Sequence, residues 1–166
     1  MPRTGFRGLN LFLVAVLIAA PLSVLFTNIA RAEEKKKKTE LDKKMEVIDE
    51  GMKKLKRTLK KSDQNEASLK ILAKVIEASN ECKELCPAKA EKMPEAEKAK
   101  FIEGYRKAMA TVIDTLEQMQ KALQAGDNAK AIELQKSLKE QKEDGHDKYM
   151  DSDDKEAAGK DKDKDK

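Results

Sequence analysis

An antiparallel up-down-up-down four-helix bundle, an all-α fold, is predicted by three observations. Lys, Glu, Ala, Leu and Met dominate the chain while aromatic residues make up 4% of it and Trp is absent, which favours helices and leaves few strand candidates. Apolar residues recur in steps of four and three along four separate segments between Thr39 and Met150. The segments are joined by turn chemistry, so that sequential helices become antiparallel neighbours.

The first segment has the cleanest seam. Leu41, Met45, Ile48, Met52, Leu55 and Leu59 alternate the two helical steps, and lysines cover the remaining faces. Thr39, with Asp42 three residues on, is an N-cap signature. Ser62-Asp63-Gln64-Asn65 ends that helix, and Asp63 with Glu66 reads as the cap of the second. Leu69, Leu72, Ile76 and Ser79 continue the pattern, with Cys82 and Cys86 near the end. From Cys86 to Pro94 there are two prolines and no apolar stripe, so this stretch is the one long connection. Helix three starts near Pro94, which suits a first helical position, and carries Phe101, Tyr105, Met109, Val112, Leu116, Met119 and Leu123. Gly126-Asp127 supplies a stop and a new cap. Helix four then presents Ala131, Leu134, Leu138, His146 and Tyr149 on roughly one side.

The flanks differ in character from the bundle, which is assigned to residues 39–150. Arg3 and Arg7 precede an apolar run from Leu11 to Phe26, and Ala30-Arg31-Ala32 offers small residues where a signal peptidase reads. That run is shorter than the roughly 20 residues needed to span a bilayer. Residues 1–32 are therefore read as a cleaved export signal, leaving a mature chain from Glu33 in the periplasm without stable membrane insertion. Residues 33–38 are a lysine-rich start. No twin-arginine pair precedes the run, so export is expected in the unfolded state, with any cofactor added afterwards. At the other end, residues 151–166 alternate Asp, Lys, Ala and Gly without a larger apolar side chain, the composition of a disordered tail.

Charge excludes one class of partner. Residues 1–32 hold three arginines and no acids, so of 35 basic and 31 acidic residues the mature chain keeps 32 and 31, a net charge of +1. A nucleic-acid partner is not expected at that balance. The charge is nonetheless uneven: residues 33–61 carry twelve basic and seven acidic side chains, and residues 140–166 carry seven and eleven. Such asymmetry suits a weak, salt-sensitive encounter with a partner protein.

Two constellations carry chemistry. Met45 lies early in helix one, and His146, the single histidine, lies near the end of helix four. In an antiparallel bundle these positions are about 9 Å and about 6 Å from the same end, at a rise of 1.5 Å per residue. A thioether and an imidazole at one end of a bundle form a haem-iron ligand pair. Seam methionines are more often plain packing, the role given to Met52, Met109 and Met119. Asp144-Gly145 can be read as a helix stop, which would leave His146 in the tail. Alternatively, Gly145 stands seven residues after Leu138 on the buried stripe and leaves a void that a macrocycle fills. Tyr149, at helical spacing from His146, favours a continuing helix.

The second constellation is Cys82 and Cys86. Three residues intervene and Pro87 follows, so the Cys-x-x-Cys-His signature of covalent haem attachment is absent. Helical positions i and i+4 have Cα atoms roughly 6 Å apart, within disulfide reach, and an oxidising compartment favours closure. A Cys82–Cys86 disulfide clip is the expectation. Two thiolates alone cannot complete a soft-metal shell.

The segment Leu41-Asp42-Lys43-Lys44-Met45-Glu46, the proline-containing connection, Phe101 to Tyr105 with Gly104, and the run from Gly126 through Leu138 to His146-Asp147-Lys148-Tyr149 together resemble the cytochrome b562 family over about residues 39 to 150. The resemblance implies a periplasmic electron carrier, not an enzyme, with one non-covalent haem b at one end of the bundle. Met45 and His146 would then be the axial ligands. Phe101 and Tyr105 would wall the macrocycle, or Tyr105 and Met109 if the register shifts by one turn. The competing reading is a haem-free periplasmic adaptor or metal-stress binder, in which Met45 is merely core.

Overall fold

The computed structural model describes residues 38–151. Residues 1–32, read as an export signal, most of the lysine-rich start and residues 152–166, read as a disordered tail, lie outside the described residues. Five α-helices form within that range: α1 (Glu40–Thr58), α2 (Asn65–Glu84), the short α3 (Ala88–Glu91), α4 (Glu95–Gln124) and α5 (Asn128–Tyr149). The four long ones make an antiparallel four-helix bundle, and no strand occurs among the described residues.

Local chemistry explains three of the helix ends. Thr39 Oγ1 accepts from Asp42 N at 3.1 Å while Asp42 Oδ2 accepts from Thr39 N at 2.8 Å, a complete capping box. At the α4–α5 turn Gly126 takes φ of +76°, a left-handed conformation that glycine enters without steric cost. Gly126 N donates to Leu123 O and Asp127 N to Ala122 O, the paired bonds of a Schellman motif. Asp127 then caps α5 by accepting from Lys130 N.

The α1–α2 corner departs from expectation. A 3₁₀ turn, Ser62–Gln64, precedes α2, and the residue before α2 is Gln64, which makes no side-chain cap. Asp63 is therefore not the cap that the sequence suggested, and Glu66 pairs with Lys70 instead. The corner is closed by side-chain amides. Asn65 and Asn128 exchange hydrogen bonds of 2.9 and 2.8 Å, and Asn128 also donates to Leu59 O at 3.0 Å, occupying an otherwise unpaired carbonyl at the α1 terminus. The long connection likewise holds more order than its prolines implied: Pro87 leads into α3, whose Ala90 is fully buried.

Packing is graded along the bundle. One core unites Leu55 and Leu59 of α1 and its cap, Leu72 and Val75 of α2, Leu116, Met119 and Leu123 of α4, and Ala131, Leu134 and Leu138 of α5. A smaller cluster at the opposite pole contains Cys82, Tyr105 and Met109, with Leu41, Met45, Ile48 and Tyr149 only partly buried against it. The main seams run between α1 and α2, α2 and α4, and α4 and α5. The α1–α5 seam is far sparser. Lys142 to Asp49 at 2.6 Å and Gln135 to Met52 O at 3.5 Å bridge it.

On α2 the fully buried stripe is Ser68, Leu72, Val75, Ser79 and Cys82, with Leu69 and Ile76 flanking it. The seam on this helix is thus rotated from the predicted one. The buried hydroxyls are satisfied, Ser68 with Thr58 at 2.7 Å and Ser79 with Val75 O at 2.8 Å. Close approach of α1 and α2 depends on Gly51, where a Cβ would overlap the Val75 Cγ2 methyl. Gly51→Ala is accordingly expected to lose about 1 kcal/mol of stability in urea unfolding. Overpacking of about 1–3 kcal/mol exceeds the roughly 1 kcal/mol gained in helix propensity.

Candidate functional site

Met45 stands on the second turn of α1, half-buried, packed on the cluster formed by Cys82 of α2 and Tyr105 and Met109 of α4. Tyr105 is buried, and its hydroxyl donates to Cys82 O at 2.8 Å, tying α4 to the last turn of α2. Burial pushes the Tyr105 phenol well above its ordinary range. The phenol therefore stays protonated and keeps donating that bond.

His146 lies in the last turn of α5, half-buried, and its carbonyl accepts from Met150 N at 3.2 Å. The helix runs unbroken through Gly145. Of the two readings of Asp144-Gly145, the continuous helix is the one observed. Tyr149, one turn beyond His146, packs on the same cluster as Met45, so the start of α1 and the end of α5 share a pole. Phe101 meets Tyr149 edge-on with centroids 5.3 Å apart, and Tyr105 meets it at 5.5 Å. Tyr105 and Met109 are thus the deep members of the α4 wall, with Phe101 half-buried one turn outward.

The cysteines correct an expectation. Both are free thiols: Cys82 is fully buried in the site cluster and Cys86 is exposed. The helical i, i+4 geometry assumed for a disulfide is absent because α2 ends at Glu84 and Leu85 is extended, with ψ of 159°. Proline at 87 disfavours helical backbone at residue 86. Burial, reinforced by the Glu81 carboxylate and opposed by Lys44, pushes the Cys82 thiol up to about 11. A thiol-specific reagent at mildly alkaline pH is expected to modify Cys86 rapidly and Cys82 only on unfolding. The folded state holds the Cys82 proton more tightly than the unfolded chain. The resulting stabilisation is present below the ordinary thiol value of 9.0 and is lost as pH rises towards about 11. A falling urea midpoint over that window in the cofactor-free Cys86→Ser variant checks the sign.

The residues at this pole fit a haem. On α1, Leu55 and Leu59 are fully buried, whereas Leu41, Met45 and Ile48 remain half-exposed. On α5, Ala131, Leu134 and Leu138 are buried, whereas Gly145, His146 and Tyr149 are half-exposed. A Cβ built on Gly145 meets nothing within 4 Å. The apolar stripe thus continues into a thinly packed end beside the sparse α1–α5 seam, where the thioethers of Met45 and Met109 and, on the last turn of α5, the imidazole of His146 have the donor chemistry that haem iron takes. Among the described residues no group of three or more His, Cys, Asp or Glu side chains could hold a bare metal ion.

Sequence reasoning missed Cys82 as a wall of this site. Its signal was present in the step of three from Ser79, which continues the buried α2 stripe. Met109, read as packing alone in the main register, lies in the same cluster as Met45.

Residues 40–150 match the family model described as cytochrome b562. No curated protein and no solved structure gives a significant match. The family match spans both Met45 and His146 and all four long helices of the bundle, and the chain belongs to the cytochrome b562 family.

Proposed function

We propose that this protein is an exported, periplasmic one-electron carrier that holds one non-covalent haem b through Met45 and His146. The family is one of haem-binding electron carriers and is generally non-enzymatic, and membership implies binding of haem b. The observation that carries the ligand assignment is the graded packing: the bundle is closed at the Leu55–Leu72–Leu116 end and thin where Met45 and His146 stand.

When bound, the haem supplies a ferric–ferrous couple whose potential is raised by thioether ligation. The chain supplies everything else. Met45 offers a neutral sulfur, which favours the reduced state, and His146 offers the stronger imidazole ligand. Leu41, Ile48, Tyr105 and Met109 line the same end and exclude water. With Met45 and His146 both holding the iron, no position would remain there for a substrate. The basic start of α1 and the more acidic end of the chain support a weak, salt-sensitive encounter with a redox partner protein.

Haem titration of the purified exported protein tests this reading. A saturable Soret change at one equivalent and a low-spin ferrous spectrum are expected. Met45→Ala should give a five-coordinate or water-ligated species with a lower potential. No saturable change would refute the assignment and leave a haem-free adaptor as the account.

A further inference from the structure

We infer that Tyr149 is a positioning residue for His146, acting as a wedge that fixes the height and rotation of the last turn of α5. The inference rests on the haem reading above and concerns how this chain presents its imidazole. Phe101, Gly104 and Tyr105 stand at i, i+3 and i+4 on α4, hence on one face. The Tyr149 ring lies across that face. It meets Phe101 edge-on at 63° and Tyr105 at 72°, and a Cβ on Gly104 would stand 3.2 Å from its hydroxyl and 4.0 Å from Cε1. Gly104 is the notch in which the ring sits.

The same turn is tied from outside. Lys89 of α3 donates to Lys148 O at 2.7 Å, at the carbonyl end of α5 where a cation is favoured, and its ammonium stands 5.9 Å from the Phe101 ring centroid. Lys92 pairs with Asp151. The short helix in the long connection therefore clasps the end of the helix that carries the histidine.

The need for such an anchor follows from the rest of α5. Its last fully packed side chain is Leu138, eleven residues before Tyr149, a stretch of about 16 Å at 1.5 Å per residue. Polar contacts between them include Gln141 to Thr115 at 3.0 Å and Lys142 to Asp49 at 2.6 Å. Gly145 adds backbone freedom immediately before the histidine. Tyr149 is the apolar contact that returns this end of the helix to the bundle, and His146 lies one turn away on a shared face.

The test uses the full chain, haemin titration and amide exchange. Tyr149→Ala is expected to weaken haem binding roughly tenfold or more, as loss of a residue that orients a metal ligand does. The bound fraction should become partly high-spin, and added imidazole should restore the low-spin spectrum. In the haem-free chain, exchange should quicken at residues 145–150 and stay unchanged at 128–140. Tyr149→Phe, which keeps the ring contacts, should restore the wild-type spectrum. Gly104→Leu, which fills the notch with Tyr149 still present, should reproduce the high-spin component.

Wild-type affinity and spectrum in Tyr149→Ala or Gly104→Leu overturn the inference, as does loss of protection along the whole of α5. If His146→Ala loses binding while Tyr149→Ala keeps it, positioning fails and the haem reading stands. If the wild-type chain shows no Soret change, both fall together.

Discussion

His146→Ala is expected to abolish tight haem binding, with affinity falling roughly 100-fold or more, beyond the 10–100-fold typical of losing an outer-shell partner. The imidazole is the stronger of the two candidate ligands, and the chain has no second histidine. A Met45-only site would keep a weak thioether and leave the other axial position to water. The fold should be spared, because His146 belongs to the half-exposed last turn and to neither buried cluster. Haemin titration alongside thermal unfolding of the cofactor-free protein checks both parts. A variant that retained the wild-type low-spin spectrum would remove His146 from the iron.

The second large effect lies at the other pole. Leu72→Ala should cost about 3 kcal/mol of stability, within the range of buried leucine truncations. A loss of that size lowers the melting temperature of a domain this large by roughly 10 °C or more. Leu72 is completely buried in the cluster that unites all four long helices, so no single helix can move to refill the cavity. Val47, 45% exposed, is the control: Val47→Ala should change stability by less than about 0.5 kcal/mol. Equal losses in both variants would mean that the core is not where the packing places it.

How much of this could be read from the sequence depended on which physical signal was strongest locally. The seams of α1 and α4 were legible because long apolar side chains recur there in unbroken steps of four and three, and the Thr39 box and the Gly126 stop are short-range motifs whose partners lie within five residues. The α2 stripe was misread at Leu69 and Ile76, which are larger and more apolar than the buried Ser68 and Val75, whereas Leu72 and Ser79 were placed on it. Yet Ser68 fits where α1 and α2 meet, its hydroxyl paired with Thr58. That tertiary preference for small side chains does not show in hydropathy.

Of the site, the two ligand candidates were legible because a lone histidine and an early-seam methionine stand out by type and position. Their shared pole followed from helix order alone. The cysteine pairing failed on one backbone fact, the end of α2 before Leu85, for which Pro87 was the available signal. The wedge of Tyr149 on Gly104 was not legible, since it depends on the relative height of α4 and α5 at the end far from the Gly126 turn that joins them.

The amide knot of Asn65 and Asn128 around the Leu59 carbonyl sits with the complete core, at the pole remote from the candidate ligands. A bundle locked at that end does not need its cofactor as a keystone. Chain collapse and cofactor capture become separable events in time, with the scaffold assembled first and the loosely closed end receiving its guest afterwards. For a chain proposed to be exported unfolded, this would let the empty form wait in an ordered state, with Met45 and His146 already at one end.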